Sequence, residues 1–584
     1  MINDALHLDW ADAVFKREFS VFGVPLPHSG PWPWHLDWRF DHEWRPGYFR
    51  DYSLTARREV PYDVKFPWEL SRLAFLPSLV QADVLDGGSA RTKMAFETLS
   101  DWNENNPLAH SVNWYPMEAA MRGIELCFLA DMARQRKISD AEAGLLLRLL
   151  AAHGEFVMRT LEFTDNAGNH YMAELVALLL IGRTLEDVYP PARRWRDHAA
   201  RRIGFEVMRQ FLPDGVNFEG STAYHRLVLT LALVASVALK RSGQPLDSMQ
   251  RARLWAGARY NANILRPDGL CPLIGDSDDA VVFGMEHRHV RDHAGDVGVA
   301  ALAFGDADLK SAAGCLPMAG LWLFGRAALS GWQELGDVTS AFMGSSYFAE
   351  GGVVVAKSDR HYFIMDVGEV GQNGVGGHGH NDLLSFELFL NGFPFAVDSG
   401  SYIYSGDFDA HDRFRATRAH NGLVVDDMEI ARLTAPFRIE NSARPTNVRV
   451  QRSSEGNVTV VSAGHTGYRS LSDPVMHYRT VTFDSAQGEL RCDDRIQARG
   501  AHKVTRYLHL APGVEPVLKE NEAYVKVGNK TFVVNWDQYS RAHLEPDTIS
   551  SCFGRLLPTK MLVLDSDVTG SVGLAMAISP SEQP

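Results

Sequence analysis

The 584-residue sequence predicts a multi-domain α + β protein: an N-terminal α/α toroid (an incomplete barrel), then a C-terminal antiparallel β-sandwich. Three observations carry that prediction. Between about residues 113 and 330, apolar residues recur every three or four positions, the period of helices with a buried face. From about 336 the period drops to two, with turn residues between short runs. The chain is also too long for one ordinary core. The implied division is 1–110, 111–335 and 336–584.

Residues 1–110 are rich in Trp and Pro, as in PLPHSGPWPWHLDWRFDHEW, and read as an irregular segment stapled onto the toroid. The alternative is a surface whose aromatic faces stack on sugars. In the toroid, YPMEAAMRGIELCFLADMARQR, AEAGLLLRLLAAHGEFVMRTL, HYMAELVALLLIGRTLED and YHRLVLTLALVASVALKRSG are helical runs joined by connectors as short as KISD. Connections this short make neighbouring helices antiparallel. A right-angled helical pile is the alternative arrangement. Ser139 with Glu142 has the spacing of a capping box. In the C-terminal part, Asn391-Gly392 between two alternating runs predicts a two-residue hairpin.

Composition narrows the partners. A net charge of −14 argues against nucleic acid or an anionic membrane as the main partner, since both reward surplus Lys and Arg. It leaves room for a local basic cleft. Five scattered cysteines without a C-x-x-C predict free thiols and no disulfide framework. The start lacks a basic and apolar leader pattern, and no apolar run is expected to reach the ~18 residues of a membrane span. The sequence as written therefore reads as cytoplasmic, or periplasmic had a leader been removed.

Chemistry concentrates in Gly376–Asn421, which holds His378, His380, His411 and His420, several carboxylates including Asp382 and Asp398, and Tyr402 and Tyr404. Imidazole and carboxylate together suit a borderline divalent metal. The helical half adds three places: Asn169-His170 after a glycine turn, Glu219 with Tyr224 and His225 at a helix entrance, and Asp276, Asp278 and Asp279 in a glycine-bounded loop. The last reads as a cap or turn cluster, or as carboxylates for hydrolysis.

The pieces N-H-Y at 169–171, E-G-S-x-x-Y-H at 219–225, G-H-G-H-N-D at 377–382, V-D-S-G-S-Y at 397–402 and R-x-H-N at 418–421 follow in an order that resembles the heparinase II/III-like polysaccharide lyases and related exo-type alginate lyases, over about residues 60–510. The resemblance implies the same toroid-plus-sandwich fold and β-elimination at a uronic acid. It implies Asn169 as neutraliser of the uronate carboxylate, helped by His170, with Tyr224 as proton donor and His378 as base or neutraliser. Substrate contacts would come from Asn113, Trp114, Glu219, His225, Tyr404, Arg413 and Arg418, with Tyr404 a further proton-transfer candidate. A structural divalent metal, Zn2+ in the relatives, would be held by His380, Asp398 and His420, with no organic cofactor. Simple hairpin register opposes that triad: it puts Asp398 opposite Ser385, so the 376–382 loop must fold back or a bulge intervene. The partner is an acidic polysaccharide or oligosaccharide, weakly sulfated rather than heparin-like given the chain's charge, and relatives suggest a homodimer. Two other classes compete: a glycoside hydrolase using Glu219 and Asp276, and a non-catalytic glycan-binding protein.

Overall fold

The computed structural model describes residues 4–54, 59–284, 288–338 and 342–581. Six long helices build the toroid as two alternating layers. Pro116–Ala133, Asn169–Leu185 and Thr222–Arg241 are buried on nearly every side. Asp140–Arg159, Pro191–Gln210 and Ser248–Asn263 each bury one face and show the other to solvent. Each inner helix packs on the next inner helix as well as on its outer neighbours. Because an outer helix returns the chain between inner ones, the inner helices run the same way and their N-termini gather at one end. Asn169 and Tyr224 both lie in first turns of inner helices, so the topology alone brings them together.

Local signals set the helix ends. Ser139 and Glu142 form the expected capping box, and Asp247 with Gln250 forms a second. Thr222–Arg241, 20 residues with a mean hydropathy of 1.5, is long and apolar enough to cross a membrane, contrary to the expectation of no such run; 89% of its apolar window is buried in the toroid core. Its apolarity reflects its place in the inner layer, where no face meets water.

The first 110 residues are only partly irregular. Lys65–Ser71, Leu76–Asp86 and Ala90–Asn105 are helices, and Phe66, Leu76 and Trp102 belong to the same apolar core as the toroid. Trp32, Trp34 and Trp44 are buried, which makes them packing residues rather than a sugar platform.

Apart from two short two-stranded ribbons between Ser20 and Glu43, the strands of the described residues begin at Gly344; they form three larger sheets and one further two-stranded ribbon, all with antiparallel pairing. A five-stranded meander spans Gly344–Phe348 to Phe393–Ala396. Eight strands between Pro445 and Pro580 make the largest sheet, and Leu423–Val425, Ala501–His509, Arg555–Thr569 and Arg541–Cys552 make the third. Their facing sides share one core, including Phe363, Phe386, Leu508, Phe483 and Phe532. Asn391 and Gly392 form the hairpin turn, with φ of 54° and 84° and Leu390 opposite Phe393. A bulge between Leu388 and Phe389 then shifts the register by one. One helix, Phe408–Arg415, interrupts the strands; Asp407 caps it by accepting from the Asp409 and Ala410 N–H groups. Arg413, expected from the resemblance as a substrate contact, lies in the last turn of this helix.

Packing between the outer helices Asp140–Arg159 and Pro191–Gln210 is tight at Gly154, where a Cβ would fall inside the Trp195 ring. Alanine favours helix over glycine by up to ~1 kcal/mol, but overpacking costs about 1–3 kcal/mol. Gly154→Ala should therefore lower the urea-unfolding midpoint; a midpoint unchanged or raised would show that this contact is loose.

Candidate active site

The site lies where the inner-helix N-termini meet the loops of the strand-rich half. At its centre is Asp276, completely buried. Its carboxylate accepts from His378 Nδ1 (3.3 Å), His380 Nε2 (3.0 Å), His411 Nε2 (3.3 Å) and Ser401 Oγ (3.1 Å). Burial alone would raise the Asp276 pKa, but these imidazoles hold it well below the usual carboxylate range. The preceding Gly275, at φ +68°, has no room for a Cβ, which would lie 2.5 Å from the His378 carbonyl. That close approach lets the Asp276 N–H donate to the same carbonyl at 2.8 Å.

Asn169 opens its helix with its side chain turned to Glu219. The Asn169 N–H and Nδ2 donate to the two Glu219 oxygens at 2.7 and 2.8 Å. A carboxylate only accepts, so this pairing fixes the amide orientation. Gly168 is required here as well, because a Cβ would meet Glu219 Oε1 at 2.6 Å. His170, one residue on, is 38% exposed in its side chain and bonds Glu162 Oε2 at 2.9 Å. Burial would lower its pKa, yet the Glu162 carboxylate raises it to about 9.

Tyr224 sits three residues after Ser221, whose Oγ caps the helix by accepting the Tyr224 N–H. Its ring stacks on His378, with centroids 3.6 Å apart and planes 13° apart, and its hydroxyl lies 3.2 Å from that of Tyr404. Glu219 Oε2 is 3.7 Å from His378 Nε2, so Asn169, Glu219, His378 and Tyr224 form one connected cluster. Burial first, then the Asp278 carboxylate, raise the Tyr224 pKa well above that of a free phenol. Tyr404, which looked exposed in the sequence, is buried against Phe437 and Phe553 and is raised in the same way, by burial first and then Asp276.

Beneath this cluster His380, Asp398 and His420 are buried and offer ligand atoms within 4.8 Å of one another. The 376–382 loop folds back as the triad required, and the chain leaves the meander just before Asp398. The residues fit a divalent cation on two counts. His380 Nδ1 and His420 Nε2 are buried nitrogens without hydrogen-bond partners among the described residues. His380 also gives its other ring nitrogen to Asp276, the orientation typical of metal-bound imidazole.

Other sequence-chosen residues lie elsewhere. Asn113 and Trp114 are core: Asn113 Nδ2 donates to Trp34 O and Asn106 Oδ1, and Trp114 Nε1 donates to Asn106 O. His225 faces away from Tyr224, as successive helical residues must; it accepts the Asn217 N–H and bonds Gly257 O, and burial lowers its pKa to about 3. Arg413 donates to Thr548 and Arg418 pairs with Glu545 on the surface. The three carboxylates of the 276–279 loop are separately engaged, Asp278 by Lys65 Nζ at 2.6 Å and Asp279 by the Phe553 N–H. Sequence reasoning missed Asp276 as the hub and gave no role to His411, Ser401 or Phe437. The only prior signal was that Asp276 sits in a glycine-bounded loop and that Ser401 and His411 fall within the Gly376–Asn421 stretch; Phe437 carried none.

The His170–Glu162 pair gives a titration to measure. Raised above the ordinary ~6.5, His170 carries charge, and with it the ion pair, fully below that value and loses both as the pH rises through about 9. Because the ring is partly exposed, the pair adds little to stability. An NMR titration of carbon-labelled histidines should show a midpoint near 9 that returns toward the ordinary value in Glu162→Gln. An ordinary midpoint in the unmodified protein would rule out the pairing.

Two family models match the chain: Heparinase II/III N-terminus over residues 35–290, and Heparinase II/III-like, C-terminal, over 343–579. A heparin-sulfate lyase of Pedobacter heparinus is 23% identical over 413 residues, covering 67% of this chain and 57% of the relative. The alignment thus spans little more than half of that relative's length. The crystal structure of heparinase III superposes over 100% of this chain and 86% of that one, with a TM-score of 0.72 and 17% identity. A heparan sulfate lyase structure from Pedobacter heparinus covers 98% and 83% (TM-score 0.61, 17% identity), and chondroitin AC lyase of Streptomyces coelicolor A3 covers 99% and 83% (TM-score 0.57, 14% identity). At such identities the superpositions speak for the fold, a toroid followed by antiparallel sheets. With both family models matched in order and across most of its length, the chain belongs to the heparinase II/III family.

Proposed function

We propose that the chain is a polysaccharide lyase, cleaving a uronic-acid-containing polysaccharide by β-elimination and leaving a 4,5-unsaturated uronate on the new end. The observation that carries this reading is the Asn169–Glu219–His378–Tyr224 cluster: an amide for a carboxylate, an oriented imidazole and a protonated phenol within one contact of each other.

In this reading Asp276 accepts the His378 Nδ1–H, so Nε2 keeps the lone pair that takes the C5 proton. The C5–H electrons become the C4–C5 double bond. The C4 oxygen leaves with its bonding pair and takes the Tyr224 proton. Burial first, then the neighbouring carboxylates, keep the Tyr224 phenol protonated, so it enters the reaction as the acid rather than the base. Asn169 has one amide hydrogen on Glu219 and a second for the substrate carboxylate, which gains charge as the C5 proton departs. The His170 imidazolium adds positive charge beside it. Glu219 acts through Asn169 rather than on substrate, being fully buried.

A hydrolase built on Glu219 and Asp276 fits less well, because neither carboxylate has a free face. Glu219 is bonded by Asn169 twice, and Asp276 by three histidines and a serine. We further propose that His380, Asp398 and His420 hold Zn2+ as a structural ion; its chemistry would be to cross-link the loops beneath His378. The substrate class is an anionic uronate glycan, with weakly sulfated or unsulfated polymers favoured by the net charge of −14.

Incubation with alginate, hyaluronan, chondroitin and heparan sulfate should raise the far-ultraviolet absorbance of unsaturated uronate with at least one of them. Tyr224→Phe should cut that rate by about 10²–10⁴. New reducing ends without absorbance would replace the lyase reading with hydrolysis. Metal analysis of the zinc-supplemented protein should find one equivalent, lost together with several degrees of melting temperature in His420→Ala and retained in Tyr224→Phe. Equal zinc content in all three proteins would remove the triad as the metal site.

A further inference from the structure

The outer face of the eight-stranded sheet carries a trough of its own. Along Met476–Asp484 and Glu489–Gln497 burial alternates residue by residue. Arg479, Val481 and Phe483 turn to the core; Tyr478, Thr480, Asp493 and Arg495 turn outward. The register lines these up in rows across the strands. Gly464, Tyr478, Arg495 and Gly573 form one row, and Arg449, Ser462, Thr480, Asp493 and Ala575 the next. Where the rows carry glycine, alanine and serine the surface sinks, leaving a concavity of about 950 Å³ bordered by Tyr478 and the long arginines.

Its charge is unbalanced. Arg491 is held by Asp493 through two bonds of 2.8 and 2.7 Å. Arg449 and Arg495 are exposed, and neither makes an ion pair or side-chain hydrogen bond among the described residues. Two free guanidinium groups share one trough on a chain whose net charge is −14. The half-buried Tyr478 ring offers a face for sugar C–H groups, and the paired hydroxyls of Ser462 and Thr480 offer polar contacts. Guanidinium suits carboxylate and sulfate, which it can bond through two N–H groups.

We propose that this trough is a second binding site for an anionic glycan, holding the polymer away from the bond being cleaved. The assignment of that glycan to the enzyme's own substrate rests on the lyase reading; the site does not. The trough and the cleft cannot share a sugar, because the sheet lies between them. On the inner side Arg479 donates to Leu384 O and Asn421 O, in the segments that carry His380 and His420. A polymer held at both sites gains from the raised local concentration at the second, whereas a short oligosaccharide occupies one site only.

The test is affinity electrophoresis of the full chain through gels containing alginate, hyaluronan or heparan sulfate. It compares the unmodified protein with Arg449→Ala/Arg495→Ala, Arg449→Lys/Arg495→Lys and Tyr224→Phe. At least one polymer should retard the unmodified protein and Tyr224→Phe alike. The double alanine variant should bind that polymer about five- to tenfold more weakly, with the lysine variant in between and circular dichroism unchanged. Retardation of the double alanine variant equal to the unmodified protein, or of neither in any gel, overturns the proposal. So does a dimer-to-monomer change in light scattering of the double alanine variant, which would make the face a contact between copies. Arginine-dependent retardation without unsaturated product from any polymer would keep the trough and remove the lyase reading. Unsaturated product with unchanged retardation would do the reverse.

Discussion

The buried carboxylate of Asp276 is the interaction on which the site depends. A charge with no exposure is tolerable only if several donors replace the water it lost. Here His378, His380, His411 and Ser401 do so. Because an ionised carboxylate only accepts, each bond also decides which ring nitrogen carries the proton. His378 is left with Nε2 bare toward Glu219, and His380 with Nδ1 bare toward Asp398 and His420. One residue thus sets the tautomers of both the proposed base and a proposed metal ligand. The Asp276 carbonyl in turn accepts Ser221 Oγ, the hydroxyl that also accepts the Tyr224 N–H.

The site therefore exists only when the two halves of the chain are docked. The toroid supplies Asn169, Glu219, Tyr224 and Asp276; the strand-rich half supplies His378, His380, Tyr404 and His411. A third contribution comes from the N-terminal segment. Asp63 accepts Ser405 Oγ and the Gly406 N–H, immediately after Tyr404, and Lys65 pairs with Asp278. Each bond crosses a large sequence separation and is buried, where an unpaired partner would be costly. The helix N-termini assist, since the backbone N–H of Asn169 and the partial positive charge of its helix both favour the Glu219 carboxylate.

Much of this was legible in the sequence where the signal is local. The period of three to four marked the helices, Asn391-Gly392 the hairpin, and Ser139 with Glu142 a helix start. Motif order gave the family. What the sequence could not show was through-space. Asp276 looked like one of three loop aspartates, and nothing local separates a carboxylate that meets three histidines from Asp279, which accepts the Phe553 N–H and the Ser277 hydroxyl. Asn113, Trp114 and His225 have site-like side chains but are buried and hydrogen-bonded in the core, a fact fixed by helix phase and packing rather than residue type. The bulge at Leu388–Phe389 defeated the simple register count.

In the proposed reading, an acidic chain that accepts an acidic glycan must solve a charge problem inside its own cleft. Asp276, Asp278 and Glu219 all lie close to where a uronate would sit, and unscreened carboxylates would repel it. Each of them is instead matched within bonding distance: Asp276 by imidazoles, Asp278 by Lys65, Glu219 by the Asn169 amide. Burial first, and then the residual negative field of these carboxylates, keep the Tyr224 phenol protonated. The same field that would hinder an anionic substrate thus prepares the proton that an anionic leaving oxygen needs. In the proposed reading, binding calls for positive charge near the uronate, and the His170 imidazolium, held charged chiefly by Glu162, would supply it.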